Sequence, residues 1–291
     1  MNERIDALRS FLDASHSMYH AQNYLVQTLK AEGYIRLMEN AAWELVPGGK
    51  YYISRGGTAV IAFRVPKEDP KGFMMSASHT DHPGFKVKEN FELAGTYTRM
   101  AVERYSGTLI STWLDRPLSI AGRVTVETED GIETKLVDID KDLLLIPNVA
   151  IHMNRQVNDG YKWNPAVDTL PLVGTKEVAG KLEALLEQEA GGRILGHDLF
   201  LYPRQKTPSG GWRTSSFPPR CWMTWSVPGA ALRASCGQRN LLLCRYCVSL
   251  TVRKSVPAVS RVRHPCCCRM FCAEFVRFAA GIWTGCWHNP S

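Results

Sequence analysis

Three residues carry the most chemistry for their spacing in this 291-residue sequence: His79-Thr80-Asp81. They follow Phe73-Met74-Met75-Ser76-Ala77-Ser78, a short apolar run that reads as a buried strand. In open α/β sheets, ligands gather beyond the carboxyl ends of strands. A histidine there can offer one ring nitrogen to a metal, and a carboxylate two residues on can hold the ring's other nitrogen. From spacing alone, a solvated loop histidine is the commoner outcome. His152 lies in Ile146-Pro147-Asn148-Val149-Ala150-Ile151-His152-Met153-Asn154-Arg155. Alternation around Val149 and Ile151 suggests a strand-like segment, with a structural, hydrogen-bonded His152 as the plainer reading. Asp115-Arg116 reads as an ion pair that holds a loop. No G-x-G-x-x-G, P-loop, G-x-S-x-G or H-E-x-x-H pattern occurs. Covalent hydrolysis through an activated serine therefore has no motif to support it.

The elements that must position these residues follow from periodicity and turn chemistry. Residues 2–32 read as helix, with Ile5, Leu8, Phe11 and Leu12 on one face. Leu25 and Leu29 resume the stripe after a break at Ser15-His16-Ser17, and Gly33 reads as a stop. Residues 50–55 and 58–65 read as strands joined by Gly56-Gly57. From about residue 86 the texture changes to short β-like runs: Tyr97 to Val102, Thr108 to Trp113, Leu118 to Val126 and Thr134 to Val137. Asp130-Gly131 supplies a turn between two of them. Val178 to Glu189 reads as an amphipathic helix ended by Gly191-Gly192. His197 to Tyr202 reads as a strand that returns the chain to the first domain.

Composition sets wider bounds. Hydrophobic residues make up 45% and charged residues 22%, which fits a globular domain and excludes a wholly disordered chain. The N-terminal segment is charged and lacks the apolar core of a signal peptide, and no apolar run suits a membrane span. The sequence thus reads as cytoplasmic.

The net charge of +7 is unevenly spread. Residues 207–291 hold 11 Lys and Arg and a single acid, Glu274, whereas residues 1–206 hold 24 bases and 27 acids. All nine cysteines fall in the tail. Arg with aromatics suits a nucleic-acid module. Cys244-Arg245-Tyr246-Cys247, with Cys266, Cys268 and Cys272, suits a zinc site. The reading that explains the whole composition is translation out of frame beyond about residue 206. Cys221-Trp222-Met223-Thr224 is written TGY TGG ATG ACN. Read from the third base of the Cys221 codon, it becomes Leu-Asp-Asp whatever synonymous codons are used.

Ordered motifs through the first ~203 residues resemble the aspartyl aminopeptidase family of dinuclear zinc metallopeptidases. They include Ser17-Met18-Tyr19-His20-Ala21, Ala42-Trp43-Glu44-Leu45, Gly48 to Arg55 and Ala62-Phe63. The strongest are Ser78 to Lys88, Ser111 to Leu118 with Gly122-Arg123, and Ile146 to Arg155. Two departures are Ser106 after Tyr105, where the family usually has Gly, and His82, where Ser is common. The resemblance implies that His79 is a zinc ligand, that Asp81 is the catalytic carboxylate beside it, and that His152 binds substrate in a neighbouring subunit's site.

The fold it implies is α/β. A zinc-peptidase catalytic domain, incomplete in this chain, is interrupted by a β-rich insert. The expected boundaries are 1–87 for the first catalytic part, 88–200 for the insert and assembly domain, and 201–206 for the return. The Cys- and Arg-rich tail at 207–291 is expected to lack native structure.

Two zinc ions are the implied cofactors, a peptide with a free and typically acidic N-terminal residue is the implied substrate, and a homo-oligomer is the implied assembly. Neither a membrane nor nucleic acid is an expected partner. The family's bridging Asp block, its Asn-Glu-Glu-Val-Gly block, a further Asp and a C-terminal His do not occur as written. Of the expected ligands only His79 remains, so the chain as written is expected to be inactive. The competing reading is a non-catalytic remnant or assembly domain with a zinc- or nucleic-acid-binding tail. Shifted by the same phase, codons for Leu250 to Val256 permit Asp-Ser-Glu-Glu-Val-Gly. Sequencing the gene from the Tyr202 codon to the stop is expected to show this block in phase with Leu-Asp-Asp. An expressed message confirming only the written frame would make the tail a real module.

Overall fold

The computed structural model describes residues 3–68, 74–207 and 249–251. Its first layer is two helices on a sheet. Helix α1, Glu3–Ala14, and helix α2, Met18–Ala31, meet at the predicted break. Ser17 makes that break: its side chain accepts a bond from the His20 backbone N–H and caps α2. Gly33 ends α2 at φ +78°. The Gly33 N–H bonds to the Lys30 carbonyl and the Tyr34 N–H to the Leu29 carbonyl, the paired closure that a left-handed residue permits. Leu25 and Leu29 are thereby buried with Phe11, Leu12 and Tyr34 against Tyr52, Val60 and Ala62. Each such aliphatic side chain contributes roughly 1.5–3 kcal/mol on burial.

The sheet beneath these helices has five strands in the order β1-β2-β3-β11-β4. They are β1 (Ile35–Arg36), β2 (Lys50–Arg55), β3 (Ala59–Arg64), β4 (Met74–Ser76) and β11 (Ser249–Thr251). Strands β2 and β3 pair antiparallel around Gly56 and Gly57, at φ +61° and +69°. Positive φ at both positions is the geometry that glycine adopts without a steric penalty. Apart from Thr207 and Ser249–Thr251, the tail at 207–291, with its expected lack of native structure and its Cys clusters, lies outside the described residues.

The second layer is a six-stranded sheet in the order β8-β7-β10-β5-β6-β9. Its strands are β5 (Gly84–Leu93), β6 (Tyr97–Tyr105), β7 (Leu118–Thr128), β8 (Gly131–Asp138), β9 (Leu172–Thr175) and β10 (Arg193–Pro203). Two short helices, α3 (Pro165–Asp168) and α4 (Lys181–Ala190), lie between its strands in sequence. Phe85, Met100, Leu118, Ile120, Val124, Leu199 and Leu201 pack with Leu182 and Leu186 of α4 into its core.

Gly122 sits where β7 meets β10. A Cβ there would fall 2.1 Å from the Asp198 carbonyl oxygen, so only glycine lets the backbones come so close.

Several expectations are corrected here. The strand at His197 to Tyr202 does not return the chain to the first sheet. It pairs with β7 from Arg193 to Pro203, inside the six-stranded sheet. Thr108 to Trp113 is no strand, and Ile110–Trp113 is a 3-10 helix. The Thr108 hydroxyl donates to the carbonyls of Gly84 and Tyr105 and so competes with strand pairing. The helix expected from Val178 starts at Lys181, after Gly180 in the left-handed region. Asp115 holds its loop through the Asn148 backbone N–H at 2.9 Å, with no ion pair to Arg116.

Two carboxylates join the helices to the six-stranded sheet. Asp138 accepts bonds from His16 and, at 2.6 Å, from Tyr202, whose ring stacks on that of His16. Burial would raise the Asp138 carboxyl, but these bonds outweigh it and lower the pKa. Burial, and then the same contact, push the Tyr202 phenol up. His20, half-buried beside this pair, is lowered by desolvation.

Asp198 accepts bonds from Tyr19 at 3.1 Å and from Arg123 at 2.8 Å and 3.0 Å, and pairs with Lys86 at 3.0 Å. Arg123 also covers the Tyr19 ring and reaches the Gly56 carbonyl at 3.1 Å. Among the described residues, no helix is long and apolar enough to cross a membrane.

Burial alone would raise the Asp198 carboxyl, yet the bonds from Lys86, Arg123 and Tyr19 hold it at about 2, against an ordinary value of 3.8. A depressed folded-state pKa gives stability that is present above the unfolded value and lost as pH falls through the folded one. The melting-temperature advantage of wild type over Asp198→Asn is therefore expected to be level at neutral pH. It should shrink between pH 3.8 and about 2. Thermal unfolding of both proteins across that range checks it.

Candidate active site

Strand β4 ends at Ser76, and His79-Thr80-Asp81 follows at its carboxyl end. The three residues alternate in exposure. Thr80 is buried and its hydroxyl donates to the Thr58 carbonyl at 3.0 Å, next to the β2–β3 turn. That bond anchors the segment and turns its two neighbours outward. The His79 side chain is 48% exposed and that of Asp81 38%.

The pair is tied together. His79 Nδ1 lies 2.8 Å from the Asp81 main-chain oxygen and 3.1 Å from Asp81 Oδ1. Both partners are acceptors only, so Nδ1 carries the proton. In the neutral ring, Nε2 then carries the lone pair. Asp81 Oδ2 accepts the Tyr105 hydroxyl at 2.9 Å, and Tyr105 closes strand β6 of the other sheet. A histidine so held presents Nε2 in a fixed direction, as a metal ligand does.

His152 is not brought to this pair by any hydrogen bond. It lies in the exposed turns of the loop at 147–164, and the strand-like segment expected around Val149 and Ile151 does not form. Ile151 is 46% exposed and Met153 80%, so the alternation faces no sheet.

Zinc suits a neutral imidazole nitrogen, and the His79–Asp81 pair fits as one ligand with its orienting carboxylate. A complete site needs about three or four protein ligands. Among the described residues, no three His, Cys, Asp or Glu side chains come together as a metal site. His16 bonds to Asp138 and ties the α1–α2 break to the six-stranded sheet, whereas His20 bonds to Ser17.

Sequence reasoning missed Thr80 and Tyr105. Thr80 lay inside the motif, and only its burial gives it a role. Tyr105 precedes Ser106, which takes φ +62° where glycine would be unstrained, and no local pattern marks its hydroxyl.

The fold and this pair define an α/β protein with a second, β-rich sheet and one oriented imidazole at a strand end. Residues 11–200 match the family model described as Aminopeptidase I zinc metalloprotease (M18), and the chain belongs to that family, whose metal is zinc. A probable M18 family aminopeptidase 2 of Clostridium acetobutylicum is 42% identical over 212 residues, 68% of this chain and 49% of that protein. An aspartyl aminopeptidase of Dictyostelium discoideum is 44% identical over 173 residues, 57% of this chain and 36% of that one. The chain thus spans about half the length, or less, of these relatives.

Among solved structures, a chain of a cryo-EM complex of Ape4 and Nbr1 aligns with a TM-score of 0.70 at 31% identity. It covers 80% of this chain and 50% of that one. A chain of the S. cerevisiae mApe1 dodecamer aligns at 0.58 and 26% identity, over 72% and 51%.

Thr80→Val buries a methyl in place of the hydroxyl that donates to the Thr58 carbonyl and is expected to cost about 1–2 kcal/mol. His79→Ala, at a half-exposed position, is expected to stay within about 0.5 kcal/mol of wild type. Denaturant titration of both variants checks this contrast between a residue that anchors and a half-exposed one.

Proposed function

We propose that the gene encodes a zinc metallo-aminopeptidase that removes N-terminal, preferentially acidic, residues from peptides. The observation that carries the reading is the His79 ring, held by Asp81 with Nε2 turned outward, in a chain of the M18 family. His79 would hold zinc through Nε2. Asp81 keeps the ring turned and its Nδ1 proton in place. Bound zinc supplies a water of lowered pKa and polarises the scissile carbonyl. The preference for an acidic residue rests on similarity to the Dictyostelium aspartyl aminopeptidase.

In the same reading, residues 1–87 are the first part of the catalytic domain, 88–200 an assembly domain and 207–291 an aberrant tail. His152 reaches a neighbouring subunit's site. Val149, Ile151 and Met153 expose apolar surface around it, which an oligomer would cover. The S. cerevisiae mApe1 structure is a dodecamer, and a homo-oligomer is the matching proposal here. A cytoplasmic location and a peptide substrate complete it.

The polypeptide as written lacks the remaining zinc ligands and is inactive. Purified as written, it is expected to release no N-terminal residue from Asp- or Glu-initiated peptides, with or without zinc. The product of the second frame, read from the third base of the Cys221 codon onward, is expected to release them in a zinc-dependent way, and to lose this on His79→Ala. Zinc-dependent release by the written chain would refute its inactivity. An inactive second-frame product would refute the aminopeptidase reading.

A further inference from the structure

We propose that Tyr105 is a positioning residue for His79: its hydroxyl fixes the Asp81 carboxylate that turns the imidazole, so the six-stranded sheet sets the direction of the candidate ligand. The proposal rests on the zinc reading for its purpose and on geometry for its substance. Asp81 has two carboxylate oxygens and both are used. Oδ1 faces His79 Nδ1 at 3.1 Å and Oδ2 accepts from Tyr105 at 2.9 Å. A carboxylate held at one oxygen can rotate about its terminal torsion, which is broad. Held at both oxygens by groups from different elements, its plane is set.

Tyr105 is itself well fixed. It pairs with Gly84 at the end of β6 and packs edge-on against Phe200 of β10, with ring centroids 5.4 Å apart. Its carbonyl accepts the Thr108 hydroxyl at 2.8 Å. On the other side, Thr80 ties the same segment to the β2–β3 hairpin through the Thr58 carbonyl. The loop carrying His79 is thus held from both sheets. The first sheet sets where its backbone lies, and the second sets how its carboxylate faces.

The test reads the His79 ring nitrogens of the full chain by nitrogen-15 NMR, near neutral pH and without metal. Wild type is expected to show His79 as the Nδ1–H tautomer. Tyr105→Phe keeps the ring packed on Phe200 and removes only the hydroxyl. It is expected to keep the Nδ1–H tautomer, which the Asp81 main-chain oxygen still holds at 2.8 Å, but to shift the His79 Nδ1 resonance as the bond to Oδ1 loosens, with the fold retained by circular dichroism. Leu186→Ala, which loosens the same sheet through α4, is expected to leave that resonance unchanged. An unaltered His79 pattern in Tyr105→Phe would overturn the proposal, and so would an equal shift in Leu186→Ala. If Tyr105→Phe does not fold, the wild type decides. A hydrogen-bonded, slowly exchanging Tyr105 hydroxyl proton is expected, and its absence overturns the assignment. These signals do not depend on peptidase activity, so failure of the zinc reading and failure of Tyr105 as a positioning residue are separate results.

Discussion

The Asp198 carboxylate draws together the parts of this protein that sequence keeps far apart. It sits on β10, takes two bonds from Arg123 on β7, one from Tyr19 on α2, and the Lys86 ammonium on β5. A half-buried carboxylate needs partners of this kind, because burial by itself favours its neutral form. Arg123 passes the constraint on, reaching the Gly56 carbonyl at the β2–β3 turn while covering the Tyr19 ring. Asp138 repeats the arrangement nearby with His16 and Tyr202. The helices of the first layer are thereby joined to the second through polar bonds as well as through Met18, Tyr19 and Phe200.

That seam has a consequence for the His79 pair. The β2–β3 turn held by Arg123 is followed by Thr58, whose carbonyl anchors Thr80. Strand β10 bears Asp198 and also Phe200, the ring against which Tyr105 packs. Both supports of His79-Thr80-Asp81 therefore trace back to the same junction. Gly122 makes the junction possible, since β7 approaches β10 too closely for a side chain there. The Gly122-Arg123 pair acts as one device, in which the glycine admits the neighbouring strand and the arginine binds its carboxylate.

The two sheets divide the work. The five-stranded sheet and its helices place the backbone at the end of β4, beside which an oriented imidazole stands exposed. The six-stranded sheet has its own core and helix α4, and it supplies the Tyr105 hydroxyl. The loop at 147–164 carries His152 and exposed apolar side chains away from both cores. A surface of that kind is costly in water and is suited to being covered by another chain.

The sequence by itself determined what depends on neighbours along the chain. The helix break at Ser17, the stop at Gly33 and the Gly56-Gly57 turn were legible because capping and positive φ are local requirements. His79 and Asp81 were legible as a pair because two residues of spacing suffice for a ring nitrogen to meet a carboxylate. Tertiary structure alone decided the rest. It placed His197 to Tyr202 in the six-stranded sheet, because a strand's partner is chosen by packing and not by its own alternation. It turned Thr108 to Trp113 into a 3-10 helix, because the Thr108 hydroxyl found carbonyls at Gly84 and Tyr105. It left His152 on an exposed turn, because apolar alternation without a facing surface does not make a strand. It gave Asp81 a second partner in Tyr105, 24 residues away, through a hydroxyl that no local pattern marks.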